Sequence, residues 1–390
     1  MENKTDPFIF RANNTADMPI SAQDGPLHGL TLAVKDLFHI NGLNTGAGNP
    51  DWLKTHPPAT ATSSVVTRLL TAGAQFLGKT LTDELAYSLN GQNFHYGTPL
   101  NYKAIERLPG GSSSGSAAAV ASGEADIGLG TDTGGSVRVP ASYNGLYGLR
   151  PTHGVVATDN MVALAPGFDT VGWLTRDLKT MNKVARVLLP EGTVSSPAKI
   201  HFSTELNHLV YHGKAIDNLV EHHTDMNFTP CAFSTSLLAK ASDAFRVLQG
   251  REIWQQHGEW ITKHNPNFAP DIKQRLNWCA GLTEEQQYIA QGYQQEVNQT
   301  MAVYLEDNHF LLVPTTPGPA PLLKTSAEDL VQYRNHLLGL TALAGLGGLP
   351  QLHIPLDTGT EAPLGFSLIG PGGTDMALIE HAFKLTGETP

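Results

Sequence analysis

Two glycine blocks bearing serines lie near one another: Gly110-Gly111-Ser112-Ser113-Ser114-Gly115-Ser116 and Gly130-Thr131-Asp132-Thr133-Gly134-Gly135-Ser136. Alone, a polar glycine run is ordinarily a flexible linker. Here the first block runs straight into the alanine-rich stretch Ser114–Gly123, and the second sits among strand formers. Both therefore read as loops held between regular elements. Two successive residues without Cβ let the backbone N–H groups at Gly134-Gly135 converge on one point, as an anion-binding nest requires. Ser136, placed directly after them, has its hydroxyl beside a site for a developing oxyanion, which is what acyl transfer needs. The blocks read neither as a phosphate-binding loop nor as the nucleophile elbow of an α/β-hydrolase. What they lack is a base.

The flanking sequence predicts the elements that hold them. Gly29 to Phe38 begins as an apolar strand and runs into Lys35 and Asp36. Val65, Val66, Leu69 and Leu70 fall at helical spacing over Ser63–Ala72, with the Thr/Ser cluster before them as a cap and Gly73 as the stop. Ala74–Lys79 reads as a strand, Ser114–Gly123 as a helix, and Ala125–Gly130 as a strand. This alternation predicts an α/β fold with crossover helices. From about 195 to 305 histidine, glutamine and asparagine become frequent and helical periodicity takes over, notably in Asp243–His257 and Glu284–Leu305. That stretch reads as a mostly helical excursion within one domain spanning residues 1–390. Phe310–Pro314, Gln351–Pro355 and Leu364–Ile369 then read as strands, and Met376–Leu385 as a closing helix.

Composition narrows the function classes. The chain has 390 residues, 41% hydrophobic and only 16% charged, with a net charge of −11. This fits a chain with a large buried core, and it disfavours a phosphate-backbone partner such as nucleic acid. Cys231 and Cys279 lack metal spacing and read as reduced thiols. The histidines at 201, 208, 212, 222 and 223 carry no His-Glu-x-x-His pattern, so they read as surface residues and no metal or other cofactor is expected. Met1 to Ala12 offers only Phe8-Ile9-Phe10 as an apolar cluster, too short for the core of a signal peptide. The run Leu337–Pro350 is too short and glycine-rich to span a bilayer. The expected compartment is the cytoplasm, with no membrane partner.

The two blocks, continued by Tyr143-Asn144-Gly145-Leu146-Tyr147-Gly148-Leu149-Arg150-Pro151-Thr152, resemble the defining region of the amidase signature family. Leu32–Asp36 resembles that family's lysine strand, and Phe168–Gly172 its later Asp-x-x-Gly element. Val313–Thr316 and Gly348–Pro350 resemble its C-terminal strands. The resemblance implies the amidase signature fold, a large mixed β-sheet flanked on both faces by α-helices. It also implies Ser136 as nucleophile, Ser112 as a bridging serine after a cis peptide bond, and Lys35 as base. The oxyanion would be held by the backbone amides of Thr133, Gly134, Gly135 and Ser136. Asp132 and Arg138, which flank the loop, read as an ionic scaffold, and Asp169 as further support.

Residue chemistry agrees with that assignment. Lysine serves as a base only when neutral, and burial in an apolar strand disfavours its charged form. Alternation along the strand sends Asp36 to the face opposite Lys35. A serine hydroxyl both donates and accepts, so Ser112 can relay a proton.

Gly48–Leu53, Ala86–Gly91 and His95–Pro99 resemble plant indole-3-acetamide hydrolases and the related amidase-like chloroplast import receptors. In that setting His95 and Tyr96 are candidates to line the pocket, as well as for a structural turn. The implied activity is hydrolysis of a small carboxamide, indole-3-acetamide-like or another aryl or alkyl amide, with the small-molecule amide as partner. The assembly state is open, a homodimer included. The competing readings are a transamidase subunit for glutamyl-tRNA and a catalytically silent binding module on the same fold.

Overall fold

The structure is a computed structural model and describes residues 6–12, 21–190 and 199–389. The chain start through Thr5 and the first four residues of the 195–305 stretch lie outside the described residues.

Eleven strands form one sheet: β1 (Phe8–Arg11), β2 (Thr31–Lys35), β3 (Gln75–Thr80), β4 (Ile127–Asp132), β5 (Tyr147–Arg150), β6 (Thr170–Thr175), β7 (Ile200–Phe202), β8 (Phe228–Pro230), β9 (Phe310–Pro314), β10 (Gln351–Leu356) and β11 (Leu364–Ile369). Their order across the sheet is β1-β3-β2-β4-β6-β5-β10-β11-β9-β7-β8. β2 pairs in parallel with both β3 and β4, and β9 in parallel with β7, while the centre from β4 to β9 is antiparallel. The expected large mixed sheet is therefore present.

Alternation in β2 divides two apolar layers. Leu32 and Val34 join Ile127, Leu129, Trp173 and Met181 on one side of the sheet. Ala33 turns to the other, where it meets Ala117, Val120 and Val137. Lys35 follows Ala33 by two residues and so shares its side. The helix Ser114–Ala121 lies tight on that side, where a Cβ on Gly128 would sit 2.9 Å from the Ser116 carbonyl oxygen. Small residues are what allow helix and sheet to approach so closely.

Most predicted elements fall within a residue or two of their expected ends, and three features add to that reading or differ from it. The helix Ser64–Thr71 takes no side-chain cap from Ser63. Asp159 caps it instead, accepting from the Ser64 amide at 3.2 Å and from the Ser64 hydroxyl. A carboxylate from a distant loop wins there over the local hydroxyl. Phe8-Ile9-Phe10, read only as an apolar cluster, forms edge strand β1 on β3. Within the 195–305 stretch, read as mostly helical, the short strands β7 and β8 extend the sheet before the long helices Ser236–His264 and Glu284–Tyr304. Three-residue strands leave too little alternation to be read from sequence. Phe245, Leu248 and Ile253 of the first long helix share one apolar cluster with Val139, Tyr143 and Leu343.

Candidate active site

Lys35 closes β2 as a fully buried side chain. Its Nζ donates to Ser112 Oγ and to Thr131 Oγ1, both at 2.8 Å. Asp36 turns away as expected and pairs with Lys79 at 2.6 Å, also accepting from the Gly46 amide at 2.9 Å. Burial pushes the Lys35 ammonium down to about 7, against the opposing pull of the Asp83, Asp132 and Asp169 carboxylates. Near neutral pH a large fraction of Lys35 is therefore the free amine.

Ser112 follows a cis peptide bond from Gly111, as the resemblance implies. Ser113 begins the helix Ser114–Ala121, and its amide donates to the Ser136 carbonyl at 3.2 Å. This backbone link ties the two serine blocks together. Ser136 is buried. No hydrogen bond to its hydroxyl occurs among the described residues, so the side-chain contact in place is Lys35 to Ser112.

The loop 133–136 is held from beneath by charge. Asp132 accepts from the amides of Gly135 at 2.9 Å, Val137 at 3.0 Å and Arg138 at 3.2 Å. Its carboxylate also meets the Arg138 guanidinium at 2.7 Å and Arg150 at 3.3 Å. Burial alone would raise the Asp132 carboxyl, but these two guanidiniums overcome it and hold the group well below the usual carboxylate range. Arg138 reaches on to the Thr341 carbonyl at 2.8 Å and to Gln351. Asp169 accepts from the Thr133 hydroxyl at 2.6 Å and from the amides of Leu164 and Ala165.

Among the proposed oxyanion donors, Gly135 is a correction. With φ of +124° it lies in glycine's range, and its amide is already given to Asp132. The amides of Thr133, Gly134 and Ser136 remain for an oxyanion.

Of the two readings of His95 and Tyr96, the hydrogen bonds support the structural turn, since both amides donate to Asn93 Oδ1, at 2.8 and 3.0 Å. His95 Nε2 meets Glu84 Oε1 and the Asn267 carbonyl, both at 3.0 Å, so it braces the loop against the middle region. Among the described residues no hydrogen bond runs from either residue to Lys35, Ser112 or Ser136. One histidine read as surface is buried, and another is half-buried. His212 is buried and bonds the Gly365 carbonyl at 2.8 Å, and His201 meets His309 at 3.2 Å. Among the described residues no group of three or more His, Cys, Asp or Glu side chains is placed to hold a metal. Cys231 and Cys279 are free thiols.

Two stretches do spell the motifs set aside above, and the structure shows what they are. Gly73 to Thr80 has the phosphate-loop spacing, yet from Gln75 it is strand β3, with Lys79 committed to Asp36. Gly111–Gly115 has the elbow spacing around Ser113, whose hydroxyl donates to the Thr131 carbonyl at 3.3 Å. Sequence reasoning gave no role to Thr131, Arg150, Asp83 or Thr341. Thr341 Oγ1 donates to the Gly134 carbonyl at 2.8 Å. Thr131 and Arg150 lay inside the matching blocks, whereas Asp83 and Thr341 had no signal.

The scaffold carries a stability expectation. Asp132→Ala strands two fully buried guanidiniums, and breaking a buried pair in this way costs ~3–5 kcal/mol. Urea unfolding should show that loss, and a midpoint matching wild type would contradict the scaffold role.

A cavity of about 420 Å³ opens between the helices Ser236–His264 and Ala327–Gly347, lined by Leu238, Ser242, Arg246, His336 and Leu340. Nearby, Phe245 presses on the nest, since a Cβ on Gly134 would lie 2.7 Å from Phe245 Cε1.

A mixed eleven-stranded sheet presenting a charge-braced glycine–serine loop beside a buried lysine defines an α/β enzyme of the amidase signature type. The Amidase family profile matches residues 10–214. "Amidase 1" of Oryza sativa subsp. japonica is 40% identical over 401 residues, covering 94% of this chain and 92% of the relative. "Outer envelope protein 64, chloroplastic" of Arabidopsis thaliana is 33% identical, covering 91% of this chain and 66% of the relative. A solved structure described as "Crystal structure of amidase" superposes with a TM-score of 0.82 at 29% identity, covering 94% of this chain and 86% of that one. The chain belongs to the amidase family and is a hydrolase of the amidase signature class. Among the described residues no helix is long and apolar enough to cross a membrane.

Proposed function

We propose that this amidase hydrolyses a small carboxamide through an acyl-enzyme on Ser136, with Ser112 as relay and Lys35 as base. The observation that carries this reading is the buried Lys35 Nζ at 2.8 Å from Ser112 Oγ. In this scheme neutral Lys35 takes the Ser112 proton while Ser112 takes that of Ser136, and the Ser136 oxygen attacks the amide carbon. The amides of Thr133, Gly134 and Ser136 hold the oxyanion, each such donor being worth ~3 kcal/mol. Protonated Lys35 then returns a proton through Ser112 to the leaving nitrogen, and ammonia or an amine departs. Water attacks the ester by the same route and releases the carboxylic acid. No cofactor takes part.

The chain acts as one domain, and the 195–305 region shapes the acyl side of the site. Support comes from Phe245 against Gly134 and from the apolar cluster shared between that region and the sheet. The apolar cluster that holds Phe245, paired ring to ring with Phe168, favours an aryl or alkyl acyl group, indole-3-acetamide among them. The cytoplasm is the proposed compartment, in keeping with two free thiols.

The test is ammonia release by the purified chain from a panel of aryl and alkyl carboxamides, with glutamine alongside. Turnover of an aryl or alkyl amide by the chain alone is the expected result. Release only from glutamine, and only with partner subunits, would favour a glutamyl-tRNA transamidase subunit. No release from any amide would favour a binding module.

A further inference from the structure

The turn after β3 brings a second ionisable group against the relay. Asp83 is fully buried, and its amide reaches the Ser112 carbonyl at 3.4 Å. Its carboxylate lies on Gly111, where a Cβ would come within 2.6 and 2.7 Å of the two oxygens. Oδ2 accepts from the Gly91 amide at 3.0 Å. Oδ1 accepts no hydrogen bond of ordinary geometry among the described residues. A buried carboxylate oxygen left this way has lost its hydration without full replacement.

We propose that Asp83 is a positioning residue for Lys35: its buried carboxylate, set against Gly111 and the Ser112 backbone, governs how readily Lys35 releases its proton. This rests on the reading of Lys35 as the base.

The charges facing each partner single Asp83 out. Lys35 feels Asp83, Asp132 and Asp169, with Asp83 the strongest of the three. Asp132 is neutralised by Arg138 and Arg150. Asp169 spends its oxygens on Thr133, Leu164 and Ala165. Asp83 itself faces Lys35 and Arg275, and Arg275 is engaged by Asp271 at 2.5 Å and the Tyr87 carbonyl at 3.0 Å. Burial pushes the Asp83 carboxyl up to about 6, against the Gly91 amide, the nearby Ser88 hydroxyl and Lys35. That lies close to Lys35 at about 7, so the two titrate as a coupled pair. Wherever Asp83 is ionised, its charge holds the Lys35 proton back. The rate consequently rises at a higher pH than burial of Lys35 alone would set.

Asp83→Asn removes the charge, keeps an acceptor for Gly91, and places an amide nitrogen where Oδ1 stood. The pH–rate profile of this variant is compared with wild type on one amide substrate. Its rising limb should move about one pH unit or more to lower pH, with the plateau within a few-fold of wild type. Asp83→Glu retains a charge, and its limb, where the variant folds, should stay nearer to wild type than that of Asp83→Asn. A wild-type limb present but unmoved in folded Asp83→Asn overturns the proposal while leaving Lys35 as base. A wild-type profile without a rising limb overturns both. Should Asp83→Asn fail to fold, ¹⁵N NMR titration of Lys35 Nζ in the wild-type chain decides. Two steps support coupling, and a single step overturns it.

Discussion

Lys35→Ala should lower kcat/KM by at least about 10³-fold while leaving the fold intact. General-base catalysis contributes about 10²–10⁴ in rate, and here the same amine also serves as proton donor to the leaving nitrogen. Lys35→Arg should not restore the rate, because a guanidinium does not give up its proton near neutral pH. The sign of the wild-type pH dependence follows from the lysine. The active form is the free amine, so the rate is lost as pH falls through about 7 and is fully present on the alkaline side. Below that midpoint the rate falls progressively, and less steeply than a lone lysine would give where Asp83 takes up its proton in the same range. A lysine on the surface, near its ordinary value of about 10.4, would leave the rate climbing to far higher pH. Kinetics from pH 5 to 10 on wild type and both variants check this. Near-normal turnover by Lys35→Arg would place the base elsewhere.

Much of the site was legible because its residues are close together in sequence. Gly110–Ser116 and Gly130–Ser136 sit on either side of one short helix and one strand, so local patterning positions both serines at once. Lys35 is distant in sequence, yet it stands at the end of an apolar strand, and β2 beside β4 brings it to the Ser112 hydroxyl. The strand Phe310–Pro314 is readable as an unbroken apolar run, and Leu364–Ile369 as a mostly apolar one interrupted by Ser367.

What stayed hidden depends on long-range packing. Asp83 looks like any acidic residue in a turn until Gly111 is folded onto it. Gly135 belongs to the glycine pair that suggests a nest, but whether its amide stays free is decided by the rotamer of Asp132. His95 stands in a polar, aromatic loop that suggests a pocket, and its partner Asn267 lies 172 residues away. The middle region gave helices by periodicity but not which face meets the nest, and the packing of Phe245 on Gly134 appears only in three dimensions.

Ser136→Ala should be the most damaging single change, reducing turnover by about 10⁴-fold or more, to the level that binding and oxyanion stabilisation alone sustain. The substitution removes one hydroxyl that carries no hydrogen bond among the described residues, so little stability should be lost with it. The Ser136 carbonyl accepts from the Ser113 amide, and in the proposed mechanism its own amide faces the oxyanion; alanine keeps both backbone groups. Activity and melting temperature should therefore separate cleanly. A variant that melts with wild type and turns over at the wild-type rate would remove the nucleophile assignment.

The central claim is that the acyl group is carried on the Ser136 oxygen. Its most direct measurement is peptide mass spectrometry of the chain after reaction with a fluorophosphonate, run on wild type, Ser112→Ala and Ser136→Ala. The account predicts one adduct, on Ser136, formed much more slowly in Ser112→Ala because the relay is gone, and no adduct in Ser136→Ala. An adduct on Ser112 or any other residue, undiminished when Ser136 is replaced, would contradict it.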